Sequence, residues 1–231
     1  MKSRYLHMRG MGYASRHFLG ICAILALFVT GINGIAAAEA KSLKLLALGT
    51  SLTQGFNLPP GTDYCAVLQA KLRAKGYDIT VINAGVSGDT SDGGLARLDW
   101  LLEEPVDGVI VELGSNDALR AFDPAIPEKN IDAILTNLDG RKIPALLTGM
   151  KAPPNMGPDY VAKFDAIYPA LAKKHGVLFY PFFLDGVAAQ PKMNQADGMH
   201  PNEKGSQVIV KNILPYVEKL ISQIQAKAPV K

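Results

Sequence analysis

A run of apolar residues in the middle of the chain sets the strongest limit on its fold. Val109, Ile110 and Val111 are consecutive within a predicted strand over 106–113. Such an uninterrupted run is typical of a parallel strand that is buried on both faces of its sheet. Because parallel strands need long crossover connections, helices are expected between the strands.

Strand-like and helix-like segments alternate along the chain, as this expectation requires. Apolar runs predict strands over 43–48, 79–82, 106–113, 145–147 and 177–180. Helical spacing predicts helices over 62–75, 91–102, 128–138, 160–174 and 203–225. Pro215 lies inside the last of these and is expected to kink or split it. The pattern predicts an α/β fold of three layers, with a five-stranded parallel sheet between helices.

The first 40 residues have the character of a secretory signal peptide. A basic start precedes an apolar run over 18–29, and Ala38-Glu39-Ala40 is a small-x-small cleavage pattern. Cleavage after Ala40 would place the mature chain in the periplasm or outside the cell. The alternative is an uncleaved membrane anchor, which the shortness of the apolar run disfavours. We therefore predict a signal peptide over 1–40, one domain over 41–226 and a frayed tail over 227–231.

Removal of this signal changes the charge and the cysteine content. The whole chain has 24 basic and 21 acidic residues. The signal contains four of the bases and one acid, which leaves a mature chain with no net charge. This balance gives no support for nucleic-acid binding. No stable membrane insertion of the mature chain is expected once the signal is removed. Cys65 is then the one remaining cysteine, so no internal disulfide is expected, and its apolar helical setting predicts a buried thiol.

Polar, glycine-bearing loops follow several of the predicted strands. Three of them are Gly49-Thr50-Ser51, the segment 83–89 and the segment 114–117; a fourth, 197–200, lies near the end of the chain. Ligands of open parallel sheets bind outside the carboxyl ends of the strands. These loops are therefore expected to converge on one site.

A serine and a histidine in these loops have the chemistry of a nucleophile and its base. Ser51 needs a base, because a hydroxyl is a weak nucleophile at neutral pH. Of the four histidines, His7 and His17 lie in the predicted signal, and His175 suits a solvated cap at a helix end. His200 is the remaining candidate, and Asp197 precedes it by three residues, close enough to orient its ring.

Each of these residues also has an ordinary structural interpretation. Asp197 and His200 could form a turn with a capping aspartate, and Ser51 could be a helix N-cap. Gly88 and Asn116 are residue types that are common in turns. Their joint placement after successive strands is what favours a catalytic site.

At these positions the chain resembles the SGNH hydrolases, which are also called the GDSL esterase/lipase family. The four blocks of that family match "GTSLTQG", "NAGVSGDTS", "VELGSNDALR" and "DGMHPNEKG". The chain is most similar to the bacterial thioesterase I/arylesterase subgroup, which includes esterases, thioesterases and lysophospholipases. The resemblance implies a flavodoxin-like fold and hydrolysis of ester bonds without a metal or an organic cofactor.

The resemblance also implies a role for each matched residue. Ser51 would attack the acyl carbonyl, His200 would take its proton, and Asp197 would orient His200. The oxyanion hole would consist of the backbone N–H groups of Ser51 and Gly88 and the side-chain amide of Asn116. The substrate would be a small acyl or aryl ester, with a thioester or a lysophospholipid as further candidates.

Two residues depart from the family pattern. The family usually has an aspartate where this chain has Thr50, and it often has alanine or glycine at Ser115. Neither position belongs to the triad or the oxyanion hole, and Thr50 is expected to influence the loop that carries Ser51.

Apolar residues near the expected site suggest an acyl-binding wall. Leu119 follows the asparagine block, and Met150, Pro153 and Tyr160 follow the fourth strand. The alternative is ordinary loop packing. The competing functions are a carbohydrate O-deacetylase, which would need a shallow polar pocket, and a non-catalytic binding protein, which only the change at Thr50 would favour.

Overall fold

One parallel sheet organises residues 42–227, the part of the chain that the computed structural model describes. Its five strands are β1 (Leu43–Gly49), β2 (Ile79–Gly85), β3 (Gly108–Glu112), β4 (Ala145–Thr148) and β5 (Leu178–Tyr180). The spatial order is β2-β1-β3-β4-β5, and every neighbouring pair is parallel. This order is the flavodoxin-like one, so the predicted fold class is confirmed.

Helices cover both sides of the sheet. They are α1 (Ser51–Gln54), α2 (Tyr64–Ala74), α3 (Ser91–Ala96), α4 (Leu98–Leu101), α5 (Ser115–Leu119), α6 (Ala125–Gly140), α7 (Pro158–His175) and α8 (Glu203–Lys227), with a short 3-10 helix at Pro154–Met156. Helix α2 packs against α8, and α6 packs against α3 and α7. None of the helices in residues 42–227 combines the length and the apolar character needed to cross a membrane.

The centre of the core is β3, the strand that contains the apolar run of Val109, Ile110 and Val111. All five residues of β3 are buried, and Val109, Ile110 and Val111 have no exposed surface. Full burial of one such side chain stabilises a fold by about 1.5–3 kcal/mol. Cys65 is also buried, at 1% exposure, as its helical setting predicted.

One segment that was predicted as a single helix forms two helices in the structure. The segment predicted as a single helix over 91–102 is divided into α3 and α4 at Arg97. Gly93 and Gly94 weaken the helix before this break. The Arg97 guanidinium donates hydrogen bonds to Asp89 and to the carbonyl of Gly49. Tertiary contacts, which apolar spacing does not reveal, therefore decide this boundary.

Of the two outcomes expected at Pro215, a kink or a split, the split is wrong, because α8 is one continuous helix. A proline inside a helix costs about 3 kcal/mol through a lost hydrogen bond and a clash. Ile213, Val217 and Leu220 are completely buried on either side of it, and this packing outweighs the local cost. The helix extends to Lys227, and the predicted signal peptide and most of the predicted tail lie outside the described residues.

Candidate active site

Ser51 is the first residue of α1, directly beyond the carboxyl end of β1. Thr50 is the N-cap of this helix, and its side chain accepts a hydrogen bond from the N–H of Leu52 at 3.3 Å. Gly55 ends the helix in a left-handed conformation, with φ of +81°. The short helix is thus defined at both ends, which fixes the direction of the Ser51 side chain.

A separate loop near the end of the chain brings His200 to Ser51. The base of this loop is an antiparallel bridge between Asn194 and Pro201. Gln195 holds the loop in place: its N–H donates to the carbonyl of His200 at 2.8 Å. The side-chain amide of Gln195 donates to the carbonyl of Phe56 at 2.7 Å and so connects the loop to the segment after α1.

Ser51, His200 and Asp197 form a chain of hydrogen bonds. Oγ of Ser51 lies 3.0 Å from Nε2 of His200, and Nδ1 of His200 lies 2.7 Å from Oδ2 of Asp197. The network is satisfied when Nδ1 carries the proton, because Nε2 can then accept from the Ser51 hydroxyl. The backbone N–H groups of His200 and Met199 also donate to Asp197. The N–H and the ring of His200, followed by the N–H of Met199, lower the pKa of Asp197 to about 2.

Two further groups face the same cleft as Ser51. Gly88 has φ of +82°, a conformation that favours glycine, and its carbonyl accepts a hydrogen bond from Arg120 at 2.8 Å. The side-chain nitrogen of Asn116 donates to the carbonyl of Asp89 at 2.8 Å. An amide nitrogen carries two hydrogens, so this bond orients the Asn116 side chain and leaves one donor available.

A cleft of about 580 Å³ contains Ser51, His200, Gly88 and Asn116 in its wall. Three of the four predicted substrate-binding residues also line it, namely Leu119, Met150 and Pro153. Tyr160 does not. Its hydroxyl donates to the carbonyl of Phe122 at 2.8 Å, and its ring stacks on Phe164. Tyr160 therefore braces a loop, as the packing alternative foresaw.

The expectation for His175 requires a correction. Its side chain is only 10% exposed, and Nε2 lies 2.6 Å from Oδ1 of Asp132, so it is not a solvated cap. Lys174 contacts the same carboxylate at 2.7 Å. His175 therefore joins the end of α7 to α6, and it is not among the residues that line the cleft.

Sequence analysis did not identify Glu112, a buried acid beneath this site. It ends β3, it has no exposed surface, and its carboxyl contacts Thr50 and Thr53 on either side of Ser51. The sequence does contain a pattern that points to Glu112, because a glutamate in the apolar run "VIVEL" is exceptional unless the acid has partners.

No group of three or more His, Cys, Asp or Glu side chains within residues 42–227 is placed to hold a metal ion.

Comparison with known proteins agrees with this arrangement. The model of the GDSL-like lipase/acylhydrolase family matches residues 47–208. Esterase TesA of Pseudomonas aeruginosa is 39% identical over 199 residues, which cover 85% of this chain and 99% of the relative. The Escherichia coli K12 protein named thioesterase 1/protease 1/lysophospholipase L1 is 38% identical over 179 residues, which cover 77% of this chain and 85% of the relative.

A solved structure gives the same result. The crystal structure of AlinE4, an esterase of the SGNH-hydrolase family, superposes with a TM-score of 0.67 at 44% identity. The match covers 79% of this chain and 98% of AlinE4. By sequence and by fold, the chain belongs to the GDSL-like lipase/acylhydrolase family, the SGNH hydrolases.

Proposed function

We propose that this protein is a serine esterase in which Ser51 forms an acyl-enzyme. The observation that carries the proposal is the continuous hydrogen-bonded series from Ser51 through His200 to Asp197. Oγ of Ser51 bonds to the acyl carbon while its proton passes to Nε2 of His200, and His200 then gives that proton to the leaving alcohol or thiol. Water then attacks the acyl carbon with His200 again as base. The bond between that carbon and Oγ of Ser51 breaks, His200 returns the proton to Oγ, and the carboxylic acid leaves.

The oxyanion is stabilised by N–H donors from three separate segments. These are the backbone N–H groups of Ser51 and Gly88 and the free hydrogen of the Asn116 amide. The bond from Asn116 to the carbonyl of Asp89 supports this role, because it fixes the amide before substrate arrives. Preorganised donors of this kind each contribute about 3 kcal/mol to stabilisation of the transition state.

The substrate is an acyl or aryl ester with an apolar acyl part. Leu119, Met150 and Pro153 give the cleft an apolar wall, which suits an acyl chain better than a sugar. Acyl thioesters and lysophospholipids are further substrates to test, since a 38% identical relative is named for both activities. The apolar wall disfavours a carbohydrate O-deacetylase.

Labelling with a fluorophosphonate tests the catalytic assignment directly. The probe should attach to Ser51 in the wild-type protein and should not label Ser51→Ala. Turnover of nitrophenyl esters of increasing acyl length would then measure the capacity of the cleft. Absence of Ser51-dependent labelling would contradict the assignment of the nucleophile, and preference for acetyl esters of sugars would contradict the substrate class.

The same proposal includes the cellular location. We infer that residues 1–40 direct the chain to the periplasm or out of the cell and that the mature protein begins at Lys41. The basic start, the apolar run and the Ala38-Glu39-Ala40 pattern support this inference. N-terminal sequencing of the protein from the periplasmic or culture fraction tests it, and an intact N-terminus in that protein would contradict it.

A further inference from the structure

Glu112 is the buried acid that the proposed mechanism does not use. Its Cα is paired with that of Gly49 across the two central strands β1 and β3. A Cβ atom on Gly49 would lie 2.7 Å from Oε2 of Glu112, so the side chain of Glu112 passes directly over this glycine. The absence of a side chain at Gly49 therefore gives the Glu112 carboxyl access to the start of α1.

The carboxyl of Glu112 joins the two threonines that flank the proposed nucleophile in sequence. Oε2 accepts the N–H of Thr50 at 3.0 Å and the hydroxyl of Thr53 at 2.8 Å. Oγ1 of Thr50 lies 3.2 Å from Oε1 and 3.1 Å from Oε2. The residue before Ser51 and the second residue after it are thus held by one side chain.

The surroundings of Glu112 supply no compensating positive charge. No Lys or Arg nitrogen of residues 42–227 lies within ion-pair distance of its carboxyl; the Arg97 guanidinium nearby contacts Asp89 and the Gly49 carbonyl. Tyr64 and Cys65 of α2 and Tyr168 of α7 are buried groups that interact electrostatically with it, and burial raises the pKa of each, so they stay neutral. Burial also raises the pKa of Glu112 to about 7, against the opposing effect of its bonds to Thr50 and Thr53. Both charge states are therefore populated near neutral pH.

We propose that Glu112 is a positioning residue for Ser51, and that Thr50 keeps this support intact in both charge states of Glu112. The argument rests on the proposed role of Ser51. A hydroxyl can donate to a carboxylate or accept from a carboxylic acid. When Glu112 loses or gains its proton, the Thr50 hydroxyl turns and the bond between the two side chains persists. In both states Oε2 still accepts from the N–H of Thr50 and the hydroxyl of Thr53.

An aspartate at this position could not do the same. Two carboxyls in contact must share one proton, because like charges at this distance cannot both ionise readily. The bond between them is lost when the shared proton leaves at high pH. This chain, with threonine where the family usually has aspartate, avoids that loss.

The first test compares Thr50→Asp with Thr50→Asn, because asparagine is the neutral isostere of aspartate. We measure kcat/KM on a short nitrophenyl ester from mildly acidic to alkaline pH, and we count active sites by fluorophosphonate labelling. Thr50→Asp should lose activity at alkaline pH by roughly 10²-fold relative to wild type, as a misplaced nucleophile would. Thr50→Asn should show no such additional alkaline loss. A profile of Thr50→Asp parallel to that of wild type would overturn the role given to Thr50.

The second test separates positioning from mere stability. Glu112→Leu removes the acceptors, whereas Glu112→Gln keeps an oxygen acceptor and an N–H donor in nearly the same shape. Per labelled serine, kcat of Glu112→Leu should fall roughly 10²-fold with little change in KM, and Glu112→Gln should recover most of it. If Glu112→Leu does not fold, Thr53→Val is the substitute variant. It removes one hydrogen-bond donor to Glu112 and should also lower kcat. Normal kcat per labelled serine in Glu112→Leu would overturn the positioning role. If Glu112→Leu does not fold, normal kcat per labelled serine in Thr53→Val would overturn it. Failure of the wild-type protein to label would instead contradict the proposed function itself.

Discussion

Asp197 keeps its charge at any pH at which the protein is expected to work. The N–H and the ring of His200 and the N–H of Met199 surround its carboxylate and lower its pKa to about 2. Any loss of activity on mild acidification therefore comes from a group other than Asp197.

Substitution of His200 should remove catalysis and leave the fold intact. We expect His200→Ala to lower kcat by at least ~10³-fold, because Ser51 then has no base. His175→Ala is the matched control, since His175 contacts Asp132 and does not line the cleft. Steady-state kinetics on a nitrophenyl ester, with a melting curve for each variant, gives the comparison. Near-normal turnover of a folded His200→Ala protein would refute the assignment of the base.

Loss of the Asn116 amide should affect the chemical step more than binding. Asn116→Ala is expected to lower kcat by roughly 10²–10³-fold, with a smaller change in KM, because the amide acts mainly on the developing oxyanion. Asn137→Ala is a suitable control, since its half-buried side chain contacts Asp99 and Arg141 and does not line the cleft. If the change in Asn116→Ala were confined to KM, Asn116 would be a substrate-positioning residue instead.

At the scale of elements, the sequence revealed most of the sheet and little of the loop geometry. Apolar runs identify the five strands, and the pattern is clearest in β3 and β4, which are buried along their whole length. The short helices at Ser51 and Ser115 have too few residues for any period to appear. The break at Arg97 and the support from Glu112 depend on partners that are distant along the chain. The site residues were expected to meet because strands of a parallel sheet end at one edge, but the contacts that orient them required the structure.

The side chain of Gln195 is one of those that hold the loop carrying His200. Its amide donates to the carbonyls of Phe56 and Pro201. We expect Gln195→Ala to lower kcat by about tenfold, because small displacements of a base are costly. Gln223→Ala, an exposed change on α8, serves as the control. Equal kcat values for the two variants would show that the loop holds its shape without Gln195.

At the scale of the whole molecule, Glu112 couples stability to pH. Its pKa rises from 4.5 to about 7 on folding, chiefly through desolvation. Folding therefore opposes ionisation of Glu112. The contribution of Glu112 to the stability of the fold is most favourable below its pKa in the unfolded chain, and it is lost as the pH rises through its pKa in the folded protein. This sign is opposite to that of Asp197, whose depressed pKa matters only in stronger acid.

The corresponding experiment measures the free energy of unfolding in urea for wild type and Glu112→Gln. Between pH 4.5 and about 7, the wild type should lose roughly 3 kcal/mol relative to the variant, which cannot ionise there. Other carboxyls affect both proteins alike and cancel in the difference. A difference that stays constant across this range would mean that Glu112 does not titrate within it.

The contact between Ser51 and His200 spans 149 positions of the chain. No fragment shorter than the segment 51–200 can contain the pair, and a growing polypeptide has the nucleophile long before it has the base. During synthesis or refolding, hydrolysis must therefore begin only after β1 and the last loop have docked on the same sheet edge. Recovery of activity therefore reports when Ser51 and His200 meet, and it should lag behind the return of helical and sheet signals in a refolding experiment.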